Sequence, residues 1–124
     1  MGVSKIAAKG NIQKTYALIL GIVLAIIGVW GLFVNNILGF GVNVWQSILH
    51  LIAAVCGIYA GTKGDAKTYN PVIGWIGVVL GVLGFIPGVS GLLADWFNIN
   101  NPISVLHIVI GVVSLGVFYG MKGK

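Results

Sequence analysis

Two histidines end the same polar pattern in two parts of this 124-residue chain. The pattern reads Asn-x-x-x-Ser-x-Leu-His and ends at His50 and again at His107. On an α-helix its Asn, Ser and His share one face, because positions i, i+4 and i+7 lie together. Imidazole can bind a metal, carry a proton or hydrogen-bond to a neighbouring helix. The six residues of this polar layer are Asn43, Ser47, His50, Asn100, Ser104 and His107.

The elements that carry this layer are expected to lie in a membrane. Only 7% of the residues are charged, whereas soluble domains have about 25%. Four apolar stretches of 18 residues contain no Asp, Glu, Lys or Arg: 16–33, 44–61, 72–89 and 102–119. A helix needs about 20 such residues to cross a bilayer. The sequence therefore predicts an all-α integral membrane four-helix bundle, as a single membrane domain over residues 1–124.

The lysines predict the orientation in the cell membrane. They fall in the two tails and the middle loop, and the segments 34–43 and 90–101 have none: Lys5, Lys9, Lys14, Lys63, Lys67, Lys122 and Lys124. By the positive-inside rule, both termini are cytoplasmic. The net charge of +5 then reflects topology and anionic lipid headgroups. Nucleic acid is not expected as a partner, because there is no arginine and no basic cluster with interleaved aromatics.

The two halves of the chain resemble each other. GIVLAIIG at 21–28 aligns with GVVLGVLG at 77–84 at an offset of 56, and the histidine patterns align at an offset of 57. Each half reads as helix, outer loop, helix, which predicts two hairpins over 16–61 and 72–120. Because both halves start on the same side, this is a parallel repeat about an axis along the membrane normal.

Glycines recur every three or four residues along the third apolar stretch and just beyond it, at six positions from Gly74 to Gly91. Lipid tails are as apolar as leucine, so small residues that allow close backbone contact must hold such helices together. The predicted packing glycines are Gly21, Gly28, Gly57, Gly74, Gly77, Gly81, Gly84, Gly88 and Gly111. The third helix offers more close-contact surface than one small bundle should need. This predicts a homo-oligomer or a subunit of a larger membrane complex.

The histidine layer has several possible uses. An unpaired polar group buried in the bundle costs about 1–3 kcal/mol, so His50 and His107 are expected to hydrogen-bond to Ser104, Ser47 or backbone carbonyls, with no cofactor. Two histidines at matching depth also suit the axial positions of a b-type haem. A zinc or copper site is weaker, since no Cys, Asp or Glu stands nearby to complete the ligands.

The predicted function is a non-enzymatic membrane scaffold or accessory subunit. No serine, histidine and carboxylate are expected to converge, because Asp65 and Asp95 are both predicted to lie in loops, whereas Ser47 and Ser104 lie on buried helix faces. The alternatives are a bis-histidine haem electron-transfer protein and a small channel or carrier. A proton-coupled carrier usually has a carboxylate within the membrane, and no apolar stretch contains one.

Segments of the second half resemble a known family. GFIPG at 84–88, LLADWFNIN at 92–100 and LHIVIG at 106–111 are similar to those of small prokaryotic four-helix membrane proteins defined only as a domain of unknown function. His107 and Gly111 match the family's Leu-His step with a glycine four residues on. His50 matches it in the first half, where Ala54 replaces the glycine. The resemblance covers about four-fifths of the chain; it implies the four-helix topology and no activity.

Overall fold

The computed structural model describes residues 2–121, with side chains from residue 9 onward. Lys122, Lys124 and the side chain of Lys5 lie outside the described part. Within it, five α-helices and one two-stranded antiparallel sheet follow one another: α1 Gly2–Gly31, β1 Asn36–Ile37, β2 Phe40–Gly41, α2 Val44–Thr62, α3 Ala66–Leu83, α4 Val89–Phe97 and α5 Asn101–Gly120.

Four of these helices are long and apolar enough to cross a membrane. The four candidate spans are Lys9–Gly31, Val44–Thr62, Ala66–Leu83 and Asn101–Gly120. The fifth helix, α4, has nine residues and is too short to cross. The predicted fold class is confirmed: the chain is a helical, multi-pass membrane bundle. Four crossings bring the β-hairpin and α4 to one end of the bundle, and the α2–α3 link to the other.

The third span differs from its expected bounds of 72–89. α3 begins six residues earlier because Asp65 caps it: the carboxylate Oδ1 accepts from the backbone N–H of Lys67 at 3.0 Å and of Thr68 at 3.3 Å. The helix ends at Leu83. The chain then turns to Gly88, whose φ of +88° lies in the region that glycine adopts without steric cost.

The bundle is built from two hairpins, because α1 packs mainly against α2 and α3 mainly against α5. Glycines let the backbones touch. A Cβ added at Gly21 would lie 2.7 Å from the amide nitrogen of Ile58, and one added at Gly77 would lie 2.7 Å from the carbonyl oxygen of His107. The predicted packing glycines that meet a neighbour this closely are Gly21, Gly28, Gly57, Gly74, Gly77, Gly81, Gly84 and Gly111. Gly88 does not belong with them, since it lies in the turn before α4 with no atom within 4 Å of such a Cβ.

The glycine contacts relate the two hairpins in a register that differs from the sequence alignment. The Cβ position of Gly21 meets the carbonyl of Ala54, and that of Gly74 meets the carbonyl of Gly111. Gly28 and Gly81 meet the carbonyls of Ser47 and Ser104 in the same way. The glycines that make equivalent contacts are thus 53 positions apart in the sequence. The residues whose carbonyls they meet are 57 positions apart. The internal repeat stays a prediction, and the alignment of its first helices at 56 does not describe these contacts.

Candidate functional site

His50 on α2 and His107 on α5 face each other across the two hairpins. Their ring centroids are 6.1 Å apart and the ring planes are inclined by 69°. Each histidine follows the asparagine that begins its helix by seven residues. The Oδ1 atoms of Asn43 and Asn100 accept backbone N–H groups at 2.9 and 3.1 Å, as N-caps do. Equal distance from two capped helix starts brings the rings to the same depth.

The expected hydrogen bonds from the histidines to the serines are not formed. Ser47 and Ser104 are fully buried, and each hydroxyl points at a glycine of its own hairpin, Gly31 or Gly84. A serine hydroxyl that points at a glycine of its own hairpin does not reach the histidine of the other hairpin. Both hydroxyls, and the buried Nδ1 atoms of both histidines, have no hydrogen-bond partner among the described residues. The prediction that His50 and His107 hydrogen-bond to the two serines was therefore wrong.

The outer ends of the hairpins are joined by amide side chains. Asn43 Nδ2 donates to the carbonyl of Trp96 at 3.0 Å, in helix α4 of the other hairpin. Asn100 Nδ2 donates to the carbonyl of Gly39 at 3.2 Å, and Asn100 Oδ1 accepts from the N–H of Gly41 at 3.0 Å. We call the set Asn43, Gln46, Asn98 and Asn100 the outer clasp.

Gln46 and Asn98 complete the outer clasp. Gln46 was expected to form a capping box with Asn43, but its side chain instead donates to carbonyls outside α2. The role of Asn98 was not expected from the sequence. Gln46 is buried, and its Nε2 donates to the carbonyls of Gly41 at 3.0 Å and Phe97 at 2.8 Å. Asn98 adopts a left-handed conformation with φ of +55°, which asparagine tolerates better than most residues. Its Nδ2 donates to the carbonyls of two residues in the first outer loop, Asn35 and Val42.

A second buried polar cluster joins the helices at the opposite end. Gln13 on α1 and Asn70 on α3 are both fully buried. Gln13 Nε2 donates to the carbonyl of Met121 at 3.0 Å, and Asn70 Nδ2 donates to Gln13 Oε1 at 2.8 Å. Tyr16 and Ser114 share a 2.5 Å hydrogen bond one turn further in. Sequence reasoning missed Gln13 and Asn70, although a Gln or Asn at the edge of an apolar helix is itself a signal for an interior position.

The surroundings of the histidine pair limit what it can bind. Within residues 9–121, no three His, Cys, Asp or Glu side chains come together as metal ligands. Two shallow surface hollows, one beside Trp75 on α3 and one between Phe85 and Asn101, are not lined by either histidine. The pair therefore offers two imidazoles and no third protein ligand of these types.

The comparisons with known proteins identify the family. A family model described as "Domain of unknown function (DUF4383)" matches residues 14–119, and this range holds both histidines and the outer clasp. No curated protein and no solved structure matches the chain. The resemblance to a domain of unknown function is thus confirmed. Because the match spans most of the chain, this membrane protein belongs to the DUF4383 family.

Proposed function

We propose that the protein is a non-enzymatic scaffold or accessory subunit of the cell membrane that associates with a second copy of itself through α5. The glycines of the third helix, from which association was expected, do not support it. Gly74, Gly77, Gly81 and Gly84 all meet α5 inside their own hairpin. Gly91 lies in α4 and not in α3. The surplus expected on α3 is therefore consumed within the bundle.

The observation that carries the proposal is a glycine pair on the outer face of α5. Gly116 and Gly120 are exposed, and a Cβ added at either would have no atom within 4 Å. Val109 and Val112 continue the same face, with 51% and 57% of their surface exposed. Two glycines four residues apart beside valines let two membrane helices approach closely. In hydrocarbon, glycine surface gains dispersion contacts only if another backbone covers it.

The carboxylates support a non-enzymatic role. The chain has two acidic residues, Asp65 and Asp95, and both are exposed. Asp65 precedes α3 at one end of the bundle, while Asp95 lies in α4 at the other. Within the described residues, neither forms a hydrogen bond with His50 or His107. A histidine without a carboxylate or nucleophile in contact lacks the partners that acid–base or nucleophilic catalysis uses.

Self-association is tested by the size of the protein in lipid. Gly116→Ile should fill the open face and reduce dimers to monomers in single-molecule photobleaching of nanodisc or vesicle samples. The matched control is Gly10→Ile, since Gly10 on α1 also has no atom near its Cβ position. A wild-type protein that stays monomeric at high protein-to-lipid ratios would overturn self-association.

The proposed orientation has both termini in the cytoplasm. Four lysines have described side chains and lie near the start of α1, in the α2–α3 link and in the first turn of α3: Lys9, Lys14, Lys63 and Lys67. The backbone of Lys14 contacts the Cβ position of Gly61, so these segments meet at one end. Anionic cytoplasmic lipids favour that end. A cysteine placed at Asn36, in a Cys56→Ser background, should then react with an impermeant reagent added outside whole cells.

A bis-histidine haem protein is the second candidate, favoured by one observation. Ring centres 6.1 Å apart are close to the spacing that one iron between two imidazoles requires. The porphyrin plate also needs lateral space, and neither surface hollow borders the rings. An absorption spectrum of the purified protein decides the matter. A Soret band that disappears in His50→Ala and His107→Ala would replace the scaffold proposal with electron transfer.

A further inference from the structure

The histidine pair has the geometry of a binding site for a single ion. The ring centres are 6.1 Å apart, and a direct hydrogen bond between imidazoles would bring them to about 5 Å. A metal–nitrogen bond of about 2 Å on each side, plus about 1.1 Å from each nitrogen to its ring centre, gives about 6 Å for three atoms in line. The observed distance between ring centres, with the ring planes inclined by 69°, matches that of two imidazoles bound to one ion.

Each ring also has an unused ligand atom. Nδ1 of His50 and Nδ1 of His107 are buried and have no hydrogen-bond partner within the described residues. A buried nitrogen without a partner costs about 1–3 kcal/mol, and both rings bear this cost at the same place. An ion that accepts a lone pair from each ring would satisfy both nitrogens and connect the hairpins where no direct hydrogen bond does.

The number and type of ligands select the ion. Zinc takes four ligands, and calcium and magnesium take six or more oxygen atoms. Among the described residues, no further His, Cys, Asp or Glu side chain joins the two histidines to form such a set. Two neutral imidazoles in line suit a monovalent d10 ion, Cu(I) or its redox-inert analogue Ag(I). A single positive charge also has the lowest desolvation cost inside a bundle, because that cost rises with the square of the charge.

We propose that His50 and His107 bind one monovalent copper or silver ion between α2 and α5. The site goes beyond the scaffold role and does not depend on α5 self-association. It would make the contact between the hairpins responsive to the ion. The step is ligand binding alone: each neutral imidazole donates one lone pair, and no electron or proton is transferred.

The test uses the full-length protein with Cys56→Ser, because Cys56 is exposed and thiolates bind soft metals. After loading with Ag(I), or with Cu(I) under anaerobic reducing conditions, and desalting, we expect one ion per chain by mass spectrometry of the metal. His50→Gln and His107→Gln in this background should lose the bound ion. Ser47→Ala, which keeps both imidazoles, should retain it.

The ligand environment provides a measurement that does not depend on the variants folding. X-ray absorption of the Cu(I)-loaded Cys56→Ser protein should show two nitrogen ligands with imidazole outer-shell scattering and no sulfur. Equal metal content in the parent and in the histidine variants would overturn the proposal. So would a spectrum with sulfur or with four ligands, or a purified protein whose histidines already carry haem.

Discussion

Asn43 and Asn100 form equivalent pairs of hydrogen bonds, one to the helix that each residue begins and one to the other hairpin. Each accepts a backbone N–H at the start of its own helix, from Gln46 and Ile103 respectively. Each also donates its Nδ2 to a carbonyl in the segment that connects the two long helices of the other hairpin, at Trp96 in α4 and at Gly39 in the β-hairpin. One amide side chain thus begins a helix and attaches it to the neighbouring hairpin. The same asparagine therefore sets the depth of the histidine seven residues later and holds the two hairpins together.

Substitutions at Asn43 should separate these two roles. A serine can cap the helix but is too short to reach Trp96, so Asn43→Ser should lose only the cross-loop bond, about 1 kcal/mol. Asn43→Ala should lose the cap as well, about 1 kcal/mol more. The free energy of unfolding in mixed micelles measures both steps. Asn101→Ala, at an exposed position in the first turn of α5, is the control. Equal stability of Asn43→Ser and wild type would show that the cross-loop bond contributes nothing.

Gly77→Ala should destabilise the second hairpin. The added methyl would lie 2.7 Å from the carbonyl oxygen of His107 and 3.1 Å from the Cα of Gly111. Neither is the movable end of a side chain, so α3 and α5 must separate, at a cost of about 1–3 kcal/mol. Gly10→Ala on α1 is the control, because its Cβ position is open and it lies outside the proposed association face. The prediction fails if both variants unfold at the same denaturant concentration.

Gln13→Ala should loosen the end opposite the outer clasp. It removes one of the two acceptors of Asn70 Nδ2, which keeps its bond to the backbone carbonyl of residue 13, and it removes the donor to the Met121 carbonyl at the end of α5. Such a loss costs about 1–3 kcal/mol. Hydrogen exchange should increase at the end of α5, next to Met121. Asn11→Ala, at an exposed position two residues away, should leave exchange unchanged. Equal protection in both variants would rule out a supporting role for Gln13.

The capping carboxylate of Asp65 should make the start of α3 sensitive to acid. A hydrogen bond from the Thr68 hydroxyl, helped by the backbone N–H groups of Thr68 and Lys67, lowers the pKa of Asp65 below its usual value. Because the folded pKa is below the unfolded one, the stabilisation is present above the usual carboxyl pKa of about 3.9. It is lost as the pH falls through the folded pKa.

Unfolding measured between about pH 7 and about pH 3 tests this dependence. Asp65→Asn keeps a capping oxygen but has no charge to lose, so its stability should fall less on acidification than that of wild type. Asp95→Asn, on the exposed side of α4, should follow wild type. The same pH response in Asp65→Asn and wild type would contradict the role assigned to this carboxylate.

The sequence was sufficient for the four spans and for the cap of α2 at Asn43, because hydropathy and capping are local. It placed the cap of α5 at Asn101, one residue after Asn100, which caps this helix in the structure. It failed at α3, because Asp65 was not recognised as the cap of this helix. It also missed α4. VSGLLADWF is apolar but too short for a helical period to be distinguished from the preceding span.

The site was only partly predictable for a different reason. The polar layer could be read from spacing, and the structure brings the two rings together. The direction in which Ser47 and Ser104 point could not be predicted from spacing, because each hydroxyl occupies the space beside a glycine on a neighbouring helix. Such gaps depend on the register between helices, and the contacts differ from the alignment by three positions. No pattern within one helix encodes that register.

The unequal lengths of α1 and α3 have a consequence for the surrounding lipid. α1 has 30 residues, about 45 Å, whereas α3 has 18, about 27 Å. A typical hydrocarbon core is about 30 Å thick. Acyl chains next to α3 must therefore shorten locally, while α1 emerges well beyond them. This hydrophobic mismatch gives the protein a preference for thin bilayers, and it would collect where short-chain lipids are abundant.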